Sequence, residues 1–274
     1  MHIRFFCPRW GSENLEWDNF FRKVKDAGYD GVEMGFPPTL TAEERAVILK
    51  GLQQYKLLFI GQHWQTVEAD FDHHMQIYEE NLRSLASGKP LFINSQTGKD
   101  YFSMDQNLTL IKRAQEISEE TAVPVVHETH RGKWSFAAHI TRAYLQQNPE
   151  IRITLDVSHW CAVAETYLED QPEAITLAIQ HTDHIHARVG HTEGPQVPDP
   201  RDPLWAEAMQ FHLECWDRVV AMKRKEGIVE FTITSEFGAA PYTTLLPESH
   251  LPIIDQWEIN VYMMNLLKDR YRNS

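Results

Sequence analysis

The chain has 274 residues, 42% of them hydrophobic, enough to bury a large core in one (β/α) barrel or two smaller domains. Its 26 Lys and Arg stand against 39 Asp and Glu, a net charge of -13 that repels nucleic-acid backbones and anionic membrane surfaces, so neither is an expected partner. Cys7, Cys161 and Cys215 are too scattered for a disulfide framework or a CxxC pair, and no segment reads as a signal peptide or a bilayer span, which together lead to the expectation of a soluble cytoplasmic protein.

Residues 2–7 form a short aromatic and β-branched run, closed by Pro8 and Gly11, that predicts a first strand with Arg9 and Trp10 at its tip. Apolar positions then recur at helical spacing over 15–27, and Gly28 stands where a helix would stop. Residues 31–36 (G-V-E-M-G-F) predict a second strand with Glu33 inside it, broken by Pro37-Pro38. Thr41 and Glu44 have the spacing of a capping box and open a second helix. Strand three is expected over 57–63, with Gln62, His63 and Trp64 at its mouth, and a helix over about 70–86 follows. Strand four, 90–94, ends in Asn94, with Gln96 and Lys99 beyond it, and precedes a helix over 105–120.

Residues 123–132 (V-P-V-V-H-E-T-H-R-G) are apolar, β-branched and too short for a helix, and they stop abruptly at His127, Glu128 and His130. After a helix over 135–147, strand six (152–156) ends in Asp156, with His159 just past it, and a helical segment lies near 172–180. Strand seven (184–189) carries His184 and His186. It runs into G-H-T-E-G-P-Q-V-P-D-P-R-D-P, a Pro- and Gly-rich loop whose length suggests a lid. A helix over 204–226, strand eight (231–236) ending in Glu236, and an amphipathic helix over 252–271 complete the chain. This βα alternation predicts a parallel sheet, and eight units in this length favour a single (β/α)8 TIM barrel over residues 1–274. An open doubly wound sheet would normally carry a Gly-rich phosphate loop, and none is present.

All strands of such a barrel end at the same mouth, so Glu128, Asp156, His186 and Glu236 should converge there. Three carboxylates at close range repel one another and call for a cation. Their hard oxygens with one imidazole suit Mn2+, Mg2+ or Co2+, with Zn2+ also open. His184, two positions before His186, shares its strand face and is the alternative ligand.

H-E-T-H around Glu128, L-D-V-S-H from Leu155 to His159, H-I-H at 184–186 and T-S-E-F-G around Glu236 resemble, in this order, the xylose isomerase-like barrels. These are the sugar isomerases and epimerases that share a fold with the endonuclease IV group. The resemblance implies one divalent metal, Mn2+ favoured, held by Glu128, Asp156, His186 and Glu236, with His159 touching substrate. It also implies proton transfer next to a carbonyl through an enediolate, with Glu128 and Glu236 as the acid and base pair. His63, Asn94, His159 and Arg188 are the expected contacts to a sugar or sugar phosphate, and Trp10, Trp64 and Trp160 could wall the pocket. Ala187 and Arg188 depart from the Lys-Asp or Gly-Glu pair that many such barrels carry after the strand-seven histidine, which leaves the substrate open. The rival readings are a metal-dependent lyase or dehydratase acting on a polyol-derived ketone, an endonuclease IV-like phosphodiesterase, and a non-catalytic sugar-binding barrel. A homo-oligomer remains open.

Overall fold

The structure is a computed structural model that describes residues 1–36 and 39–272; the break expected at Pro37-Pro38 lies outside the described residues. The eight strands are β1 (His2–Pro8), β2 (Gly31–Met34), β3 (Leu58–His63), β4 (Ile93–Ser95), β5 (Val125–Glu128), β6 (Ile153–Leu155), β7 (Thr182–His186) and β8 (Glu230–Thr234). All neighbours pair in parallel, and β8 returns to β1, closing the barrel. The fold is the expected (β/α)8 TIM barrel.

Helices α1 (Trp17–Asp26), α2 (Ala42–Tyr55), α3 (Phe71–Ala86), α4 (Met104–Thr121) and α5 (Ala138–Gln147) each lead from one strand to the next. Both α2 and α4 start on a complete capping box, Thr41 with Glu44 and Ser103 with Gln106, so orphan N–H groups of the first turn are satisfied locally. Between β6 and β7 lie a short helix not foreseen from sequence, α6 (Ser158–Ala164), and then α7 (Pro172–His181). α8 (Ala206–Lys225) precedes β8, and α9 (Gln256–Tyr271) follows it. No helix among the described residues is long and apolar enough to cross a membrane.

The two-residue period of the strands divides their side chains between two environments. Phe5, Val32, Phe59, Ile93, Ile153, Ile185 and Ile233 are buried in the apolar layer shared with the helices. The alternate positions face the barrel axis, and the upper ones are polar: Glu33, Gln62, Asn94, Glu128, His184, His186 and Thr234. Lower down, Phe6 fills the axis, and it can do so because position 31 is glycine: a Cβ there would lie 2.4 Å from the Phe6 ring.

A register shift fixes the face of β7. Ile153 pairs with Thr182 but Thr154 pairs with His184, so Asp183 is passed over. The extra residue turns both His184 and His186 toward the axis. Asp183 is left outside, where Arg152 grips it with two hydrogen bonds (2.9 and 2.7 Å) and Lys223 adds a third at 3.0 Å.

Two sequence expectations change on inspection of the packing. Trp160 is no pocket wall: α6 turns it into the core, fully buried, with its indole N–H donating to the Ser135 carbonyl at 2.8 Å. The loop after β7 is a brace. Val197 N–H donates back to Val189 O (2.8 Å), and Gln196 clasps the β8 loop by accepting from Gly238 N–H (2.7 Å) and donating to Gly238 O (3.3 Å).

Candidate active site

Glu128 is the last residue of β5, His186 the last of β7, and Asp156 and Glu236 stand just past the ends of β6 and β8. One donor atom from each lies within 4.8 Å of one from every other, and all four residues are buried. The predicted convergence is therefore present in space.

Local contacts hold each side chain. Asp156 caps the chain entering α6 by accepting from the Ser158 N–H (3.0 Å) and hydroxyl, while its other oxygen meets the Arg188 guanidinium. Asn94 donates its amide hydrogens to Glu128 Oε2 and Glu33 Oε1, both at 2.9 Å, and Gln62 donates to Glu236 Oε1 at 2.9 Å. His186 Nε2 lies 3.0 Å from Glu33 Oε1.

Four buried polar atoms at the site have no hydrogen bond among the described residues: Asn94 Oδ1, His159 Nδ1, His186 Nδ1 and Glu236 Oε2. Of these, His186 Nδ1 and Glu236 Oε2 face each other as an ion pair at 2.8 Å, with the Arg188 guanidinium 3.6 Å from the same oxygen. A carboxylate oxygen and an imidazole nitrogen this close, at the centre of a ring of acids, are placed to share an ion. The charges agree with this. Burial pushes Glu128 up to about 8, relieved in part by His186 and raised further by Glu236. Burial also acts on Glu236, but the positive charges of His186 and Arg188 outweigh it and hold that carboxyl below its usual value. In the protein alone, then, the acids are not all neutralised by their own basic neighbours. The donor set of three carboxylates and an imidazole fits a divalent cation.

Above the cluster opens a cavity of about 750 Å³, within the range of small-ligand sites. Trp10, Trp17, Trp64 and Tyr242 supply apolar wall, while Glu128, Glu236 and Arg188 face it from below. Trp10 meets Tyr242 edge-on with centroids 5.0 Å apart, and the Trp10 ring is accommodated by glycine at 238, where a Cβ would lie 2.0 Å from it. Tyr242 also lies over Arg188, whose Cζ is 4.9 Å from the ring centre.

Of the expected substrate contacts, Arg188 reaches the cavity. His159 lies beside it, its Nε2 2.8 Å from Arg188 Nη2 and its ring 4.0 Å from that of His130. Burial keeps both histidines neutral, driving His159 well down and His130 to about 3. Asn94 sits one layer lower and touches the carboxylates. His63 is not brought to the site. It pairs with Ser95 on the outward face of β3 and is buried, with its ring nitrogens 3.0 Å from Ser95 Oγ and 2.7 Å from Thr66 Oγ1. Gln62, one position earlier, occupies the inward place. His184 also points to the axis, but in the layer below: its Nε2 is 3.2 Å from Glu33 Oε2 and its Nδ1 2.7 Å from Thr232 Oγ1. Both nitrogens are occupied, which leaves His186 as the imidazole at the rim.

Sequence reasoning placed Glu33 within its strand and did not assign it to the site, and it passed over Gln62, His130 and Tyr242 as site residues. Parity along β2 and β3 was the available signal for the first two; Tyr242 comes from a loop with no periodic pattern.

No family model and no curated protein matches the sequence. Solved structures do match over nearly the whole chain. A xylose isomerase domain containing protein from Salmonella typhimurium LT2 is similar at TM-score 0.66 and 15% identity, covering 98% of this chain and 97% of its own. D-allulose 3-epimerase from Methylomonas sp., solved with D-allulose, gives 0.63 and 14% identity over 98% of each chain. The chain has the fold of the xylose isomerase-like TIM barrels. The probable 3-DHS dehydratase AsbF of Bacillus anthracis gives 0.60 and 17% identity, covering 97% of this chain and 99% of its own. Other xylose isomerase-like barrels that match include an endonuclease IV. At these identities the likeness is one of fold.

Proposed function

We propose that this barrel is a divalent-metal-dependent isomerase or epimerase acting on a sugar or sugar phosphate by moving a proton next to a carbonyl. The observation that carries the reading is the convergence of four buried potential ligands, Glu128, Asp156, His186 and Glu236, with one donor atom of each within 4.8 Å of one from every other. A bound ion, Mn2+ favoured by the oxygen-rich set, would supply Lewis-acid polarisation of the substrate's oxygens. Glu128 and Glu236 approach that position from β5 and β8, so a proton can leave the carbon toward one carboxylate and return from the other. Gln62 and Asn94 hold these two carboxylates in place through their amide hydrogens. Arg188 is positioned to bind a hydroxyl or an anionic group, and the aromatic wall of Trp10, Trp64 and Tyr242 suits the apolar face of a pyranose or ketose and excludes water from it.

The test combines chelation with one substitution. EDTA should abolish activity on a panel of ketoses, inososes and their phosphates, and Mn2+ or Co2+ should restore it. Glu236→Gln should lower turnover by about 10²–10⁴-fold without changing the far-UV circular dichroism. Full activity in a metal-free preparation would reject the reading. The likeness to a probable dehydratase supports a second reading, loss of water from a polyol-derived ketone at the same rim. Product analysis separates the two, because dehydration creates a new chromophore and isomerisation does not.

A further inference from the structure

We propose that Glu33 is a positioning residue that presents His186 Nδ1 and the Glu128 carboxylate to the ion; this rests on the metal reading above. Glu33 is fully buried at the centre of β2, below the rim. Its two oxygens are contacted by four groups: Asn94 Nδ2 at 2.9 Å, His186 Nε2 at 3.0 Å, His184 Nε2 at 3.2 Å and the Thr234 hydroxyl. A carboxylate can only accept, so the His186 nitrogen facing it must carry hydrogen. Asn94 Nδ2 also lies 3.2 Å from that nitrogen, but both its hydrogens already point at carboxylates, so it cannot supply the proton. With Nε2 committed to Glu33 in this way, Nδ1 is the nitrogen left to meet an ion, and it faces Glu236 Oε2 at 2.8 Å. The same oxygen of Glu33 receives the Asn94 amide whose other hydrogen holds Glu128 Oε2. The reversed amide would aim Oδ1 at two carboxylates. Glu33 thus sets one ligand directly and a second through Asn94, without lining the cavity.

Calorimetric titration of Mn2+ into the ion-free protein tests this, with wild type, Glu33→Gln and Glu236→Gln in parallel. The expected result is one site in wild type, no measurable site in Glu236→Gln, and one site about 10–100-fold weaker in Glu33→Gln. At saturating Mn2+, Glu33→Gln should regain most of the wild-type turnover, which a residue acting on substrate would not. A crystal structure of ion-free Glu33→Gln should show the His186 ring rotated from its wild-type orientation. Should Glu33→Gln fail to fold, Asn94→Ala takes its place, with several-fold weaker Mn2+ binding expected and the ring unchanged. Unaltered Mn2+ affinity in the folded variant, beside a lost site in Glu236→Gln, overturns the role of Glu33 alone. Absence of saturable binding in wild type overturns the metal reading and this inference with it.

Discussion

Replacing Arg188 by methionine keeps most of the side-chain length and removes a charge that is 1% exposed. The guanidinium meets Asp156 Oδ2, donates from Nε to Ser158 Oγ at 3.2 Å, and lies 3.6 Å from Glu236 Oε2. At 3.6 Å and an effective dielectric of about 20, one such charge pair is worth roughly 4–5 kcal/mol before desolvation is subtracted. Breaking a buried pair by deleting one partner costs about 3–5 kcal/mol, because the remaining carboxylate stays buried and uncompensated. For a chain of this size that corresponds to a melting temperature lower by roughly 6–20 °C. Thermal unfolding in EDTA and in excess Mn2+ reads both the loss and its repair. In EDTA the variant should melt well below wild type. Mn2+ should raise the variant's midpoint more than that of wild type, because the ion then faces Asp156 and Glu236 without a competing cation. The double variant Arg188→Met, Asp156→Asn should recover part of the loss in EDTA. A single variant melting within about 2 °C of wild type in EDTA would refute the claim that Arg188 neutralises the rim.

Acid should destabilise the protein through buried histidines outside the four-residue ring. Burial lowers His127 and His212 to about 4, and His212 is used in its neutral form, with Nδ1 2.8 Å from Ala208 O and Nε2 accepting from Gly190 N–H at 3.2 Å. Their folded values lie below the unfolded value of about 6.5, so the unfolded chain binds more protons between these limits. Stability is therefore whole above about pH 6.5 and falls by up to about 3 kcal/mol per histidine as pH drops toward 4. Urea unfolding at pH 7 and pH 4.5 should show a smaller difference in His212→Gln than in wild type, and equal differences would exclude the assignment. Two tryptophans should part company: Trp160→Ala, in the core, should cost about 3–5 kcal/mol. Trp64→Ala, at an exposed cavity wall, should change stability by less than about 0.5 kcal/mol while raising KM. A Trp64 variant with unchanged KM across active substrates would remove that residue from the pocket.

The barrel was readable because its strands are short apolar runs stopped by polar residues, and because Gly28, Thr41 and Glu44 punctuate the helices between them. The four rim residues were readable for the same reason: each closes a run. What failed was parity. Gln62 and His63 are adjacent at the end of β3, and a histidine attracts a functional reading that the register gives to the glutamine. His184 and His186 share a face, so only depth along the axis distinguishes them, and depth depends on the shift at Ile153 and Thr154 that no local pattern announces. Glu33 escaped because a carboxylate amid Val32 and Met34 gains its meaning from partners on β4, β7 and β8. Trp160 misled because α6, only seven residues long, turns it inward.

Closure of the sheet by the pairing of β8 with β1 gives the rim a history. Its last member in chain order, Glu236, follows β8, the strand that pairs with β1. A nascent or nicked chain lacking that final strand keeps Glu128, Asp156 and His186 but cannot complete their ring. The ring of four is thus complete only when β8 closes the sheet against β1.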